Sequence, residues 1–294
     1  VFLVVIIAFL SNMKQNSDKK MKELDEIYKS QLKLVSLDIK SKSKREEEFD
    51  EIDLDKNTLT DIYISSSNKS YLIGRQILDF CSSDMVYKCL EMGARYLELD
   101  LYEGSRRKIV IANGLSKGNW KLTLNQLPFE YFCQEFKRKL FKRDHYTNFN
   151  DPVLLFLNLN IPKYRMEELY QIIENNLGEF LPNKKYNILN GENILKAPLK
   201  ELMGKLIIIT YGKIGNTPMD RVVHLRLGTH VKRMTFRELA RHSKEEMLYY
   251  NKHHLTIIKP EGGFRSSNYN PENAWDHGCQ IVCMNFQHTD DFMA

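Results

Sequence analysis

From Thr60 onward, short apolar runs alternate with longer stretches in which apolar residues recur every three or four positions. The runs IYI (62–64), YLELDLY (96–102), KIVIA (108–112), PVLLFLNLN (152–160), KLIIIT (205–210), LTIIK (255–259) and QIVCMNF (280–286) read as strands. Stretches 76–92, 127–141, 166–177 and 235–250, lying between them, carry helical spacing. Strands alternating with helices predict an α/β fold with a parallel sheet and helical crossovers. The number of units fits a (β/α)8 TIM barrel, which takes ~250 residues.

Residues 1–10 are apolar throughout, about half of the ~20 that a membrane-crossing helix needs. Three readings fit: a truncated membrane anchor, the remnant of a signal peptide, or a buried segment of the fold. Lys14, Lys19, Lys20 and Lys22 follow, as on the cytoplasmic flank of a membrane helix. Residues 11–55 then read as a charged helical spacer. Met21, Leu24, Ile27, Tyr28 and Leu32 keep helical spacing, and the stretch ends in the solvated run KSKSKREEEFDEID. A cytoplasmic or membrane-associated location is expected.

Composition changes this picture little. A hydrophobic share of 43% and a charged share of 28% are those of a globular chain and exclude collagen-like, coiled-coil and wholly disordered classes. The net charge of +5 favours an anionic partner. No zinc-finger spacing or RNA-binding aromatic motif accompanies it, so a membrane phospholipid surface is expected rather than nucleic acid; no protein partner is indicated. The five cysteines form no CxxC and are expected as buried free thiols in a reducing compartment.

The first candidate chemistry lies in LELD, where Glu98 and Asp100, two apart on a strand, share a face. On a barrel strand that face leads to the mouth. Two neighbouring carboxylates there need a cation, whether metal, lysine or arginine. Plain surface acids are the alternative.

Around these residues, ISSSNKSYL (64–72) and GARYLELDLYEG (93–104) resemble the X-region motifs ISSSHNTYL and GCRCVELDCWDG of eukaryotic phosphoinositide-specific phospholipases C. PVLLFLNLN and LMGKLIII are similar to that family's PVILSLENH and LKGKILVK. SSNYNPENAWDHGCQIVCMNFQ (266–287) closely resembles the Y-region signature SSNYNPQxFWNxGCQxVALNFQ. The resemblance implies a distorted TIM barrel with an X half over 56–213, a short linker over 214–221 and a Y half over 222–294.

It also implies a reaction: attack of the inositol 2-hydroxyl on the phosphodiester, served by two histidines and a calcium ion. The family's histidine positions fall on Asn68 and Asn113. An amide donates hydrogen bonds but neither becomes a cation nor exchanges protons at neutral pH. The calcium-ligand positions fall on Lys69, Glu98, Asp100 and Asn158, which keeps two carboxylates and places an ammonium where an oxygen belongs. No cofactor is therefore expected, and Lys69 is expected to bridge Glu98 and Asp100 in the ion's place, the alternative being that it reaches out to solvent. The phosphate-binding positions fall on Ile209, Tyr211, Ile257 and Lys259, mostly unsuited to anions, with Arg265 a partial substitute. Losing a general acid or base costs ~10²- to 10⁴-fold. The expectation is an inactive phospholipase C-like pseudoenzyme, a membrane-proximal binding or scaffold module. The alternative is an active phosphatidylinositol phosphodiesterase, with relocated catalytic groups, releasing diacylglycerol and inositol phosphate.

Overall fold

A computed structural model describes residues 2–42, 52–115, 119–142, 148–212, 214–262 and 267–293. Arg265 and most of the acid-rich run before Leu54 lie outside the described residues.

Eight strands form the barrel: β1 (Ile64–Ser67), β2 (Tyr96–Glu103), β3 (Val153–Asn160), β4 (Leu206–Tyr211), β5 (Leu225–Arg226), β6 (Val231–Thr235), β7 (Leu255–Lys259) and β8 (Ile281–Met284). They pair in parallel in the order β6-β7-β8-β1-β2-β3-β4-β5. The ring is nearly closed, by a parallel bridge from Leu227 to Val231. The fold is a TIM barrel. The run at 108–112 is not one of its staves: Ile109–Ile111 pairs antiparallel on β2. β5 and β6 were not legible as strands because one is two residues long and the other, VKRMT, carries two adjacent charges.

Alternate residues of each strand face inward. Ile64, Tyr96, Leu154, Phe156, Ile207, Ile209, Val231, Ile257, Ile281 and Cys283 fill the interior as one buried cluster. Continuing the same parity toward the C-terminal ends places Glu98, Asp100, Asn158, Tyr211, Arg233 and Lys259 at the mouth. The outward residues Leu97, Leu99, Leu155, Leu157 and Ile208 join a second core with α2 (Ser83–Glu91), α3 (Phe129–Lys139) and α4 (Met166–Leu177). Apolar layers thus plug the barrel from below and leave polar chemistry to its open end.

Helix α2 is shorter than the stretch 76–92, because Ser82 caps it by accepting from Asp84 N–H. Asp79 holds the residues before it as a loop, accepting from the N–H groups of Arg75 and Phe80. The stretch 235–250 breaks into two helices, Phe236–Leu239 and Lys244–Asn251, the second capped by Ser243. Residues of the expected linker are packed, with Ile214 and Met219 buried and Asp220 paired to Arg226.

The N-terminal region is a single helix, α1 (Phe2–Lys42), and no helix among the described residues is long and apolar enough to cross a membrane. Leu24 and Tyr28 of α1 are buried in the outer core, and the Tyr28 hydroxyl donates to the Phe286 carbonyl. Asp25 pairs with Lys88 of α2. Leu3, Val5, Ile6, Ile7, Phe9 and Leu10 are exposed rather than buried in the fold. All five cysteines are buried and free, and burial pushes their thiols up, to about 12 for Cys81, Cys89 and Cys279.

His224 sits in the wall just before β5, where its Nδ1 accepts from Ile208 N–H at 3.1 Å. Burial pushes the imidazole down from 6.5 to about 3. The unfolded chain therefore binds a proton that the folded chain refuses, and stability falls as pH drops below 6.5 toward 3. The expected slope is ~1.4 kcal/mol per pH unit once below ~6. Urea unfolding of wild type and His224→Gln from pH 7 to 5 measures it; parallel stability curves for the two would contradict the assignment.

Candidate functional site at the barrel mouth

Glu98 and Asp100 point into the mouth, and each already holds a cation from the chain. Glu98, 1% exposed, accepts from Arg233 Nη2 at 2.6 Å through Oε1. The guanidinium lies 4.9 Å over the Phe156 ring. Burial pushes Arg233 down, but Glu98, with Tyr96, Cys283 and Asp100 behind it, outweighs that, so the guanidinium is held more firmly charged than usual. Asp100 is filled on both oxygens, by the Tyr71 hydroxyl at 2.5 Å on Oδ2 and by Asn158 Nδ2 at 2.6 Å on Oδ1. Lys69 Nζ stands 3.7 Å from the same Oδ2. Burial, then Asp100, raises the Tyr71 phenol, which keeps it a neutral donor.

Lys69 adopts a left-handed conformation (φ 43°), costly for a side chain with a Cβ. That turn carries its ammonium back across the mouth, where it donates to Asn113 Oδ1 as well as facing Asp100. It does not bridge the two carboxylates: Glu98 belongs to Arg233.

The two amides are used as braces. Asn68 Nδ2 donates to Asn285 Oδ1 at 2.8 Å. Asn285 in turn donates to the Ser267 carbonyl at 3.0 Å and, through its backbone N–H, to Asn268 Oδ1 at 2.6 Å. Asn113 Nδ2 donates to the Gln76 carbonyl. Both amides therefore tie loops of the mouth together, and neither can move a proton.

Ile209 and Ile257 are fully buried among the interior layers. Tyr211 opens onto a groove of about 800 Å³ that also touches Glu103, Asn158 and Asn160. Lys259 is partly buried at the rim; burial first, then Arg233 and Lys69 nearby, pushes its ammonium down. Among the described residues Lys259 has no ion-pair partner at contact distance. Lys69, Arg233 and Lys259 set three cations against Glu98 and Asp100, one positive charge over two carboxylates.

A calcium ion needs six to eight oxygens. Here Arg233 takes one carboxylate, a phenol and an amide take the other, and an ammonium adds like charge. The donor set does not fit the ion. Sequence reasoning missed Arg233, Tyr71 and Asn285; the last two lie within the quoted motifs, but Arg233 lies on the unrecognised β6.

Residues 56–211 match the phosphatidylinositol-specific phospholipase C X domain, and residues 223–294 match its Y domain. The chain belongs to this family. It is 24% identical over 287 residues to human 1-phosphatidylinositol 4,5-bisphosphate phosphodiesterase zeta-1, covering 78% of this chain and 45% of that protein. It is 23% identical over 285 residues to human inactive phospholipase C-like protein 2, covering 79% of this chain and 25% of that one. The chain thus spans less than half the length of either relative. Among solved structures, PLC21 of S. officinalis superposes with a TM-score of 0.67 at 22% identity, over 81% of this chain and 35% of that one. A phosphatidylinositol-specific phospholipase C from Staphylococcus aureus superposes at 0.52 with 15% identity, over 83% of this chain and 93% of that one. Identity to a phosphodiesterase and to an inactive relative is about equal, so similarity alone does not sort this phospholipase C-like chain; its mouth residues must.

Proposed function

We propose that this phospholipase C-like chain is a non-hydrolysing module that meets a phospholipid surface with its barrel, as a binding or scaffold element. One observation carries this reading: Asn68 and Asn113, at the positions of the family's histidines, are amides already bonded to Asn285 and to Lys69 and the Gln76 carbonyl. Nothing at either position can protonate a leaving group or take a proton from a hydroxyl. Arg233 and Lys69 supply to Glu98 and Asp100 the charge that calcium would otherwise bring, so the reading is independent of metal. Lys259, with no ion-pair partner at contact distance among the described residues, leaves the mouth suited to an anionic surface.

The test is release of water-soluble inositol phosphate from vesicles of mixed phosphoinositides, with and without calcium, beside an active phosphoinositide phospholipase C. The expected result is no release above buffer in either condition. Calcium-dependent turnover would return the chain to the phosphodiesterases.

A further inference from the structure

Helix α1 lies ahead of both family regions, and its first turns carry Leu3, Val5, Ile6, Ile7, Phe9 and Leu10, each 39–69% exposed. At 100° per residue these positions span about 200° of the helix, with residues 3, 6, 7 and 10 along one face and residues 5 and 9 beside it, and the unbroken apolar sequence puts positions 4 (Val) and 8 (Ala) on the remaining side. A helix apolar all round belongs in apolar surroundings on all sides. A protein groove would cover one face and leave the rest wet. Immediately after, residues 11–22 hold Lys14, Lys19, Lys20 and Lys22 against Asp18 alone, a basic collar of the kind that sits at anionic head groups.

The docking of α1 fixes where this segment points. Met13, Asn16, Ser17 and Lys20 line a cavity of about 190 Å³ with Arg75 and Asp79, which belong to the loop leaving the C-terminal end of β1. That loop is on the mouth side. Further along, Asp25 meets Lys88 in the second half of α2, so α1 descends beside α2, away from the mouth. Residues before Met13 therefore project past the rim, with Ile6 some ~21 Å beyond Lys20. The rim beside them is apolar as well. Leu78, Leu115 and Trp120 are 53%, 55% and 69% exposed. Leu78 N–H donates to the Leu122 carbonyl at 2.9 Å, and Asn119 donates to the carbonyl of Glu103, the last residue of β2, at 3.0 Å.

We propose that the first turns of α1 insert into the hydrocarbon of an anionic bilayer and so hold the barrel mouth against it. This rests on the reading that the barrel works at a lipid surface, and names the element that seats it there.

The chain has two tryptophans, on opposite faces. Trp120 is at the mouth; Trp275 lies in the short helix Glu272–Asp276 leading into β8, its ring 6.5 Å from that of Tyr63 just before β1. The full-length Trp275→Phe and Trp120→Phe variants each keep one reporter, to be quenched by bromine on the acyl chains of phosphatidylcholine/phosphatidylserine vesicles. Trp120 should lose at least half its emission and Trp275 almost none. The exposed pair Ile6→Glu/Phe9→Glu should weaken binding to those vesicles at least tenfold with an unchanged melting temperature. If the wild-type chain binds no anionic vesicle, the lipid-surface reading itself falls. If it binds but Ile6→Glu/Phe9→Glu binds equally, or Trp275 is quenched as strongly as Trp120, the reading stands and this inference falls. A wild-type dimer that becomes monomeric on Ile6→Glu/Phe9→Glu, without lipid, would put a second copy on the segment instead.

Discussion

Replacing Arg233 with methionine is expected to lower the unfolding free energy by ~3–5 kcal/mol, the cost of removing one partner from a buried ion pair. Glu98 is 1% exposed and, among the described residues, its carboxylate is hydrogen-bonded to Arg233 alone, while its Oε2 is buried and unpartnered. Without the guanidinium, its charge has no counter-ion in contact and no water to turn to. The effect should depend on the partner: adding Glu98→Leu to Arg233→Met should restore most of the loss, since buried pairs are replaced by apolar residues at little cost. Urea unfolding of the two single variants and the double variant gives the coupling. An Arg233→Met variant within ~1 kcal/mol of wild type would mean that Glu98 is not held as described, because exposed pairs are worth only that much.

Tyr28→Ala should cost ~3–5 kcal/mol, as for other large buried rings cut to alanine. The ring is buried between α1 and the outer core, and its hydroxyl reaches the Phe286 carbonyl just past β8. Leu24 and Tyr28 are the buried apolar side chains of α1 among the described residues, with the Asp25–Lys88 pair beside them, so the loss should appear as release of α1 before the barrel unfolds. Limited trypsin digestion should then cut at the lysines of α1 many times faster in Tyr28→Ala than in wild type, while the barrel fragment stays whole. Tyr28→Phe, which keeps the packing, should lose only ~1 kcal/mol. Equal digestion rates for wild type and Tyr28→Ala would show that the helix is not pinned there.

The barrel was legible in the sequence wherever a strand was long and apolar, as at PVLLFLNLN and KLIIIT, because a stave buried on both faces must be a continuous apolar run. It was not legible at β5, which is two residues long, or at β6, where Lys232 and Arg233 interrupt the apolar run. Arg233 was hidden by that same failure: without a strand it has no face, and only its parity with Val231 turns it inward. The carboxylates were legible because LELD places them two apart, but which cation each takes depends on contacts 135 residues away for Glu98. Lys69 was recognisable as a lysine at a ligand position, yet its reach is set by a left-handed backbone that no local pattern announces. The amides Asn68 and Asn113 could be read as unable to carry protons; that they brace the loops around Asn285 and Gln76 needed the fold.

At the centre of the account is the claim that the mouth supplies its own cations, Arg233 to Glu98 and Lys69 to Asp100, in place of a metal. Isothermal titration of the full chain with calcium at neutral pH tests it most directly. No saturable heat and no rise in melting temperature are expected up to ~10⁻³ M, the weak end of protein calcium sites. A stoichiometric site with a Kd below that concentration, abolished by Asp100→Asn, would contradict it.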